Sequence, residues 1–234
     1  MKTIGLIGGM SWESSSEYYR VINEEVKHRL GGLHSAKCIL YSVDFHEIET
    51  YQSAGEWEQA GQILGEAANA LEKAGSDIIV LCTNTMHIVI DLIEKSVSIP
   101  VLHIADATAG EINKQGLRKI GLLGTAYTME QDFYKSRIKA NNMDVFVPEK
   151  SDRDMINKII FEELCLGEIH ASSRAYFQKV IRGLMDKGAE GIILGCTEVG
   201  LLIKQEHVGV PLFDTTVIHA IEAVNWALDE GYFA

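Results

Sequence analysis

Apolar positions along the chain fall into short runs separated by longer amphipathic stretches. Thr3 to Leu6, Lys37 to Ser42, Asp77 to Leu81, Val101 to Ile104, Lys119 to Leu123, Gly191 to Leu194 and Val210 to Phe213 are rich in β-branched residues and leucine, and we expect strands there. Between them, stretches such as Glu56 to Ala74 and Arg174 to Lys187 repeat apolar residues every three or four positions, the spacing of a helix with one buried face. Short strands alternating with helices predict parallel sheets covered by helices, an α/β fold.

The pattern also repeats. Ile4-Gly-Leu-Ile-Gly-Gly9 recurs as Ile120-Gly-Leu-Leu-Gly-Thr125, an offset of 116 residues. At an offset of 113, Ala70-Leu-Glu-Lys-Ala-Gly-Ser-Asp-Ile-Ile-Val-Leu-Cys-Thr-Asn-Thr85 lies over Gly183-Leu-Met-Asp-Lys-Gly-Ala-Glu-Gly-Ile-Ile-Leu-Gly-Cys-Thr-Glu198. Ile99-Pro-Val-Leu-His-Ile-Ala-Asp106 then resembles Val210-Pro-Leu-Phe-Asp-Thr215. Three matches in the same order at nearly constant offset point to a duplicated architecture.

In open α/β sheets, ligands collect at the carboxyl ends of the strands. Two matched strands end there in polar residues, Cys82-Thr83-Asn84-Thr85 and Cys196-Thr197-Glu198. Half-sites facing each other across a domain cleft would hold a small ligand between Thr83 and Cys196, a geometry suited to chemistry on both faces of one carbon.

Composition narrows the options. The chain has 21 basic and 33 acidic residues for a net charge of -12, and its basic residues are scattered, so a nucleic-acid partner is not expected. No apolar run approaches the roughly 20 residues of a membrane span, and the amino terminus lacks a signal-like apolar region; we expect no membrane association and a cytoplasmic setting. Four cysteines without C-x-x-C spacing suit a reducing compartment, and eight histidines without H-x-H or H-E-x-x-H give no metal motif. Gly5-Leu6-Ile7-Gly8-Gly9 does not match G-x-G-x-x-G, so the turn is read as serving a substrate or itself rather than a nucleotide. Cys38 and Cys165 read as structural, and Trp12 and Glu13 as the opening of a helix. His87 follows Asn84-Thr85 at a turn, where it either supports the site or packs.

With these residues in place, the chain resembles the aspartate/glutamate racemases, most closely the subgroup specific for L-aspartate and L-glutamate. The resemblance is carried by Gly8-Gly9-Met10-Ser11-Trp12-Glu13, Thr83-Asn84-Thr85-Met86-His87, Gly124-Thr125-Ala126-Tyr127-Thr128-Met129 and Gly195-Cys196-Thr197-Glu198, and it spans nearly the whole chain. It implies two pseudosymmetric domains, residues 1–110 plus 212–234 and residues 111–211, each a parallel sheet flanked by helices, with the active site in the interdomain cleft. It further implies a homodimer, a small acidic amino acid as substrate, and two thiols flanking its α-carbon without pyridoxal phosphate, metal or any other cofactor. Asn84, Thr85 and Thr197 would hold the substrate carboxylate, and Met10, Gln52 and Thr128 would line the pocket. Glu198 would bind the substrate ammonium or orient Cys196, although an acidic residue there is also a common helix cap.

The pattern departs from the family at two places. Thr83 stands where the family carries its first cysteine, and the arginine that many aspartate racemases carry after the second strand has no counterpart in Asp44-Phe45-His46-Glu47-Ile48. Cys82 does not replace the missing thiol, because one residue back along a strand a side chain points to the opposite face, toward the core. A threonine hydroxyl is far too weak an acid to form a resting base, so Cys196 is expected to be the thiolate base, with nearby donors setting its thiolate fraction. The resemblance leaves two other functions open. One is a decarboxylase or cis-trans isomerase of the same superfamily using a single thiol; the other is a noncatalytic amino-acid-binding protein.

Overall fold

The computed structural model describes residues 1–228. The chain runs β1 (Ile4–Gly8), α1 (Trp12–Leu30), β2 (Cys38–Ser42), α2 (Phe45–Ala54), α3 (Trp57–Lys73), β3 (Ile78–Leu81), α4 (Ile90–Ser96), β4 (Val101–Leu102) and α5 (Ile104–Lys114). It continues through β5 (Lys119–Gly124), α6 (Ala126–Glu130), α7 (Asp132–Ala140), β6 (Asp144–Phe146), α8 (Lys150–Glu162), α9 (Ala171–Asp186), β7 (Gly191–Gly195), α10 (Val199–Leu202), β8 (Leu212–Asp214) and α11 (Thr215–Leu228). Short 3₁₀ turns occupy Thr85–Val89, Leu164–Leu166 and Gln205–His207.

Two four-stranded parallel sheets result, in the orders β2-β1-β3-β4 and β6-β5-β7-β8. The second order is the first with each strand replaced by its duplicate, so the repeat read from the residues is a repeat of topology. The central strands carry it best. Every residue of β1, β3 and β7 is buried, and each apolar side chain fully removed from water there contributes about 2 kcal/mol. The pattern does not mark the edge strand β6, because only three residues pair and they are half-exposed or exposed. At β4 the expected strand stops two residues early, at Leu102, and Ile104 already opens α5.

The chain divides into two compact units. One joins Met1–Ile104 to the chain from Thr216, and the other is Ala105–Thr215. The resemblance implies these changes at 110/111 and 211/212. They shift because each fourth strand is followed by a helix that belongs to the other unit. In the second unit, α5 is tied to α7 by the Arg137–Asp106 ion pair and by the Tyr134 hydroxyl, which donates to Thr108 Oγ1 at 3.4 Å. In the first unit, Ala220, Ala223, Val224 and Trp226 of α11 pack into one cluster with Ile4, Leu6, Tyr18 and Val80. Among the described residues no helix is long and apolar enough to cross a membrane.

His219 of α11 fastens this helix to its own unit. Its Nε2–H donates to the Leu102 carbonyl at 3.0 Å, and its Nδ1 accepts from the Tyr18 hydroxyl at 2.9 Å, so α11, β4 and α1 meet on one neutral ring. Burial lowers its pKa to about 4. Above about pH 6.5 the ring is neutral folded or unfolded and adds no pH dependence. Between there and pH 4 the unfolded chain binds a proton that the folded chain refuses, so stability falls as pH falls, by about 3 kcal/mol in total. Urea unfolding across this window should show a smaller loss in His219→Gln than in the parent protein; equal losses would remove His219 as the source.

Candidate active site

The sheet order says where to look. In the first sheet β1 and β3 are neighbours, but the chain leaves β1 toward β2 on one side and β3 toward β4 on the other. Their carboxyl ends therefore border the crevice in which open α/β sheets take ligands, and β5 and β7 border its duplicate.

In the first unit, the turn after β1 is built on Gly9, whose φ of +97° suits glycine. A Cβ there would lie 2.2 Å from the Val43 carbonyl oxygen, so only glycine lets the ends of β1 and β2 approach so closely. Ser11 caps α1 by accepting from the Ser14 amide at 3.3 Å. Gly9 donates to Ser15 Oγ at 2.8 Å, and the Ser15 hydroxyl donates in turn to the Ser11 carbonyl at 2.9 Å. Motif reading did not single out this serine network, although Ser11-Trp12-Glu13-Ser14-Ser15 is a run of capping residues. Met10 is buried among Ile7, Ile48, Leu81 and Met86, and Gln52 is buried on α2. Asp44 accepts from the His46 amide at 3.0 Å and caps α2.

Past β3, consecutive side chains diverge as a strand requires. Cys82 is fully buried in the cluster of Ile4, Leu6 and Val80, where burial pushes its thiol up, while Thr83, Asn84 and Thr85 gather at the strand end. His87 holds this end. Its Nε2 accepts from the Ile104 amide at 3.2 Å, so Nδ1 carries the hydrogen and donates to the Thr83 carbonyl at 2.8 Å. Of the two roles open to it, His87 thus takes support of the strand end, with its ring 4.6 Å from that of His103.

In the second unit, β5 and β7 end in a facing pair of glycines, Gly124 and Gly195. A Cβ on Gly124 would lie 2.6 Å from the Gly195 carbonyl oxygen, and this close approach carries the two strand ends together. Thr125 caps α6 by accepting from the Thr128 amide at 3.3 Å. Thr128 is fully buried, with its hydroxyl 3.2 Å from that of Thr125, beside the cap.

Cys196, Thr197 and Glu198 follow β7 as a connected group. The Cys196 thiol donates to Glu198 Oε2 at 3.0 Å, and the Thr197 hydroxyl donates to the same oxygen at 2.6 Å. Glu198 stands at the N-cap position of α10 but makes no side-chain cap bond; its carboxylate turns back to the thiol. Cys196 and Glu198 are both buried, 7% and 4% exposed. Burial and then the Glu198 charge push the Cys196 pKa well above that of a free thiol. The partner beside the thiol is an acceptor rather than the expected donor, and burial and its charge both disfavour the thiolate form. Such a pair can move a proton to or from carbon, while the hydroxyls and amide at the β3 end can bind a carboxylate. Among the described residues, no group of three or more His, Cys, Asp or Glu side chains is placed to hold a metal ion.

Comparison with known proteins bears on the family and the fold. Residues 7–223 match the family model for Asp/Glu/hydantoin racemases. A proposed Asp/Glu racemase from Yersinia pestis is similar in structure, at 56% identity and a TM-score of 0.92, over 98% of this chain and all of that one. An aspartate racemase homologue from Pyrococcus horikoshii is similar at 38% identity and a TM-score of 0.86, over the same shares of each chain. The broad specificity amino-acid racemase RacX of Bacillus subtilis is 22% identical over 95% of this chain and 96% of its own length. With the family model spanning both β-sheets and the Cys196 strand end, the chain belongs to the Asp/Glu/hydantoin racemase family.

Proposed function

We propose that this chain is a cofactor-independent amino-acid racemase acting on L-aspartate and L-glutamate, with Cys196 as the group that takes the α-proton. One observation carries this reading: in a chain of a racemase family, the duplicated strand ends place a single buried, carboxylate-bonded thiol after β7. Catalysis then requires both strand ends to serve one substrate. Asn84, Thr85 and Thr197 bind its carboxylate through neutral donors, Met10 and Gln52 shape the pocket, and Thr83 takes the place of a second thiol. The raised pKa of Cys196 leaves little thiolate at rest, but it makes the sulfur a stronger base toward a weakly acidic carbon once the thiol proton has gone.

The asymmetry between Cys196 and Thr83 has a kinetic consequence. Enantiomers have equal free energy in water, so a racemase cannot run only one way, and microscopic reversibility ties the two directions together. A carbanion formed by Cys196 recaptures a proton from the same face faster than Thr83 or water supplies one to the other. L-Aspartate in heavy water should therefore exchange its α-proton, followed by NMR, faster than it inverts, followed by polarimetry. Equal rates would overturn the one-base reading, and no exchange with either enantiomer of aspartate or glutamate would overturn the racemase reading.

A protonated resting thiol also suits a decarboxylase that donates a proton from Cys196 to a carbanion. Release of carbon dioxide from an α-substituted malonate, without α-proton exchange of amino acids, would select that chemistry.

A further inference from the structure

Two histidines meet in the first unit where the duplicated plan puts different residues. At the offset of 113, His87 corresponds to Gly200, and in the match of Ile99 to Asp106 over Val210 to Thr215, His103 corresponds to Asp214. In the second unit a Cβ on Gly200 would lie 2.2 Å from Asp214 Oδ2, and in the first unit the ring centroids of His87 and His103 are 4.6 Å apart. The contact is duplicated while its chemistry is not. The half that ends in Thr83 carries a pair of buried imidazoles, 1% and 4% exposed.

His87 holds the two peptide units that bracket Asn84. The ladder between β1 and β3 ends where the Cys82 amide donates to the Ile7 carbonyl at 2.9 Å, and the chain then turns, with the Thr83 amide bonded to the Leu81 carbonyl at 2.9 Å. The peptide before Asn84 is held by the His87 ring, whose Nδ1–H donates to the Thr83 carbonyl at 2.8 Å. The peptide after Asn84 is held by the His87 amide, which donates to the Asn84 carbonyl at 3.1 Å. On its other side the ring accepts from the Ile104 amide at 3.2 Å, so it is braced against the chain just past β4. A hydrogen on Nε2 would face that N–H, and the two bonds together require the neutral ring with its hydrogen on Nδ1.

We infer that His87 is a positioning residue for substrate binding: by fixing the peptide planes on either side of Asn84, it sets the direction in which Asn84 and Thr85 meet the substrate carboxylate. The inference deepens the proposed function and rests on its assignment of these residues to the substrate. At 1% exposed, His87 acts through the turn and not by contact with the ligand. Its effect falls on binding rather than on proton removal, because the α-hydrogen goes to Cys196, on a strand end that His87 does not hold.

Two substitutions separate the bonds of the ring. The amide nitrogen of asparagine falls near the place of Nδ1, so His87→Asn can still donate to the Thr83 carbonyl; the amide of glutamine falls near Nε2, so His87→Gln can still accept from Ile104 but leaves the Thr83 carbonyl without this donor. In His87→Gln, KM for α-proton exchange of L-aspartate should rise about 10-fold or more with kcat within about threefold of the parent protein, whereas in His87→Asn KM should stay within about threefold. A merely structural role lowers melting temperature and activity together and makes asparagine, which leaves the larger void, the worse of the two. That order overturns the inference, as does an unchanged KM in His87→Gln. Should neither variant fold, nitrogen-15 NMR of the parent protein decides: His87 should carry its hydrogen on Nδ1, and its resonance should shift as L-aspartate saturates the protein, while the other tautomer or an unmoved resonance overturns the inference. A parent protein that binds L-aspartate without exchange loses the racemase reading alone, since the Kd of the two variants, measured by calorimetry, should then show the same contrast. A parent protein that neither binds nor exchanges aspartate or glutamate sinks both.

Discussion

Cys196→Ser is expected to abolish both α-proton exchange and inversion, lowering each by at least about 10³-fold. Serine is close to isosteric and its hydroxyl can donate to Glu198 Oε2 as the thiol does, so the loop after β7 keeps its geometry. What it loses is basicity within reach: an alkoxide forms so much less readily than a thiolate that no base at oxygen is accessible. Unchanged circular dichroism and melting temperature, with exchange gone, are the expected pair of results. Exchange within tenfold of the parent protein would mean that Cys196 is a packed core residue, as its place among Leu123, Leu194 and Val199 would otherwise suggest.

Thr83→Cys is expected to act in the opposite sense, raising inversion by about 10- to 100-fold while exchange at the L-face stays within a few-fold. The substitution puts an acidic S–H where the parent protein has a hydroxyl, so the carbanion finds a competent donor on its second face. The strand end should accept it. His87 holds Thr83 through the backbone carbonyl, which the change leaves in place, and Thr83 is 8% exposed, at the margin of the core. The ratio of polarimetric inversion to NMR exchange is the measurement. A ratio that does not move would show that position 83 does not supply the second face, whatever the family pattern puts there.

How much of this was legible before the fold differs from one element to the next. The duplication was readable at β1/β5, β3/β7 and β4/β8 because those strands lie against neighbours whose packing and glycine contacts constrain each residue type. The remaining pair, β2 and β6, holds no buried residue, such exposure tolerates unlike residues, and Cys38–Ser42 and Asp144–Phe146 share no readable pattern. Cys82 was legible as core, since alternation along a strand is local geometry. The side-chain destinations of Thr128 and Glu198 were not: each follows a strand end in a polar motif, yet one is fully buried at a helix cap and the other turns away from its helix. His87 shows the same limit, because the Ile104 amide that sets its tautomer lies 17 residues away.

By itself, then, the sequence determined the alternation of strands and helices, the twofold plan, and the chemical types available at each strand end. All of these follow from short-range spacing, hydrophobic period and residue identity. Only the tertiary structure decided the pairing of those groups: Cys196 hydrogen-bonded to Glu198, Thr83 held by its carbonyl to His87, and His219 set between Tyr18 and Leu102. The reason is physical. Desolvation and hydrogen bonding act through space, so the acidity of a group is set by what packs around it, and only the folded chain brings those neighbours together.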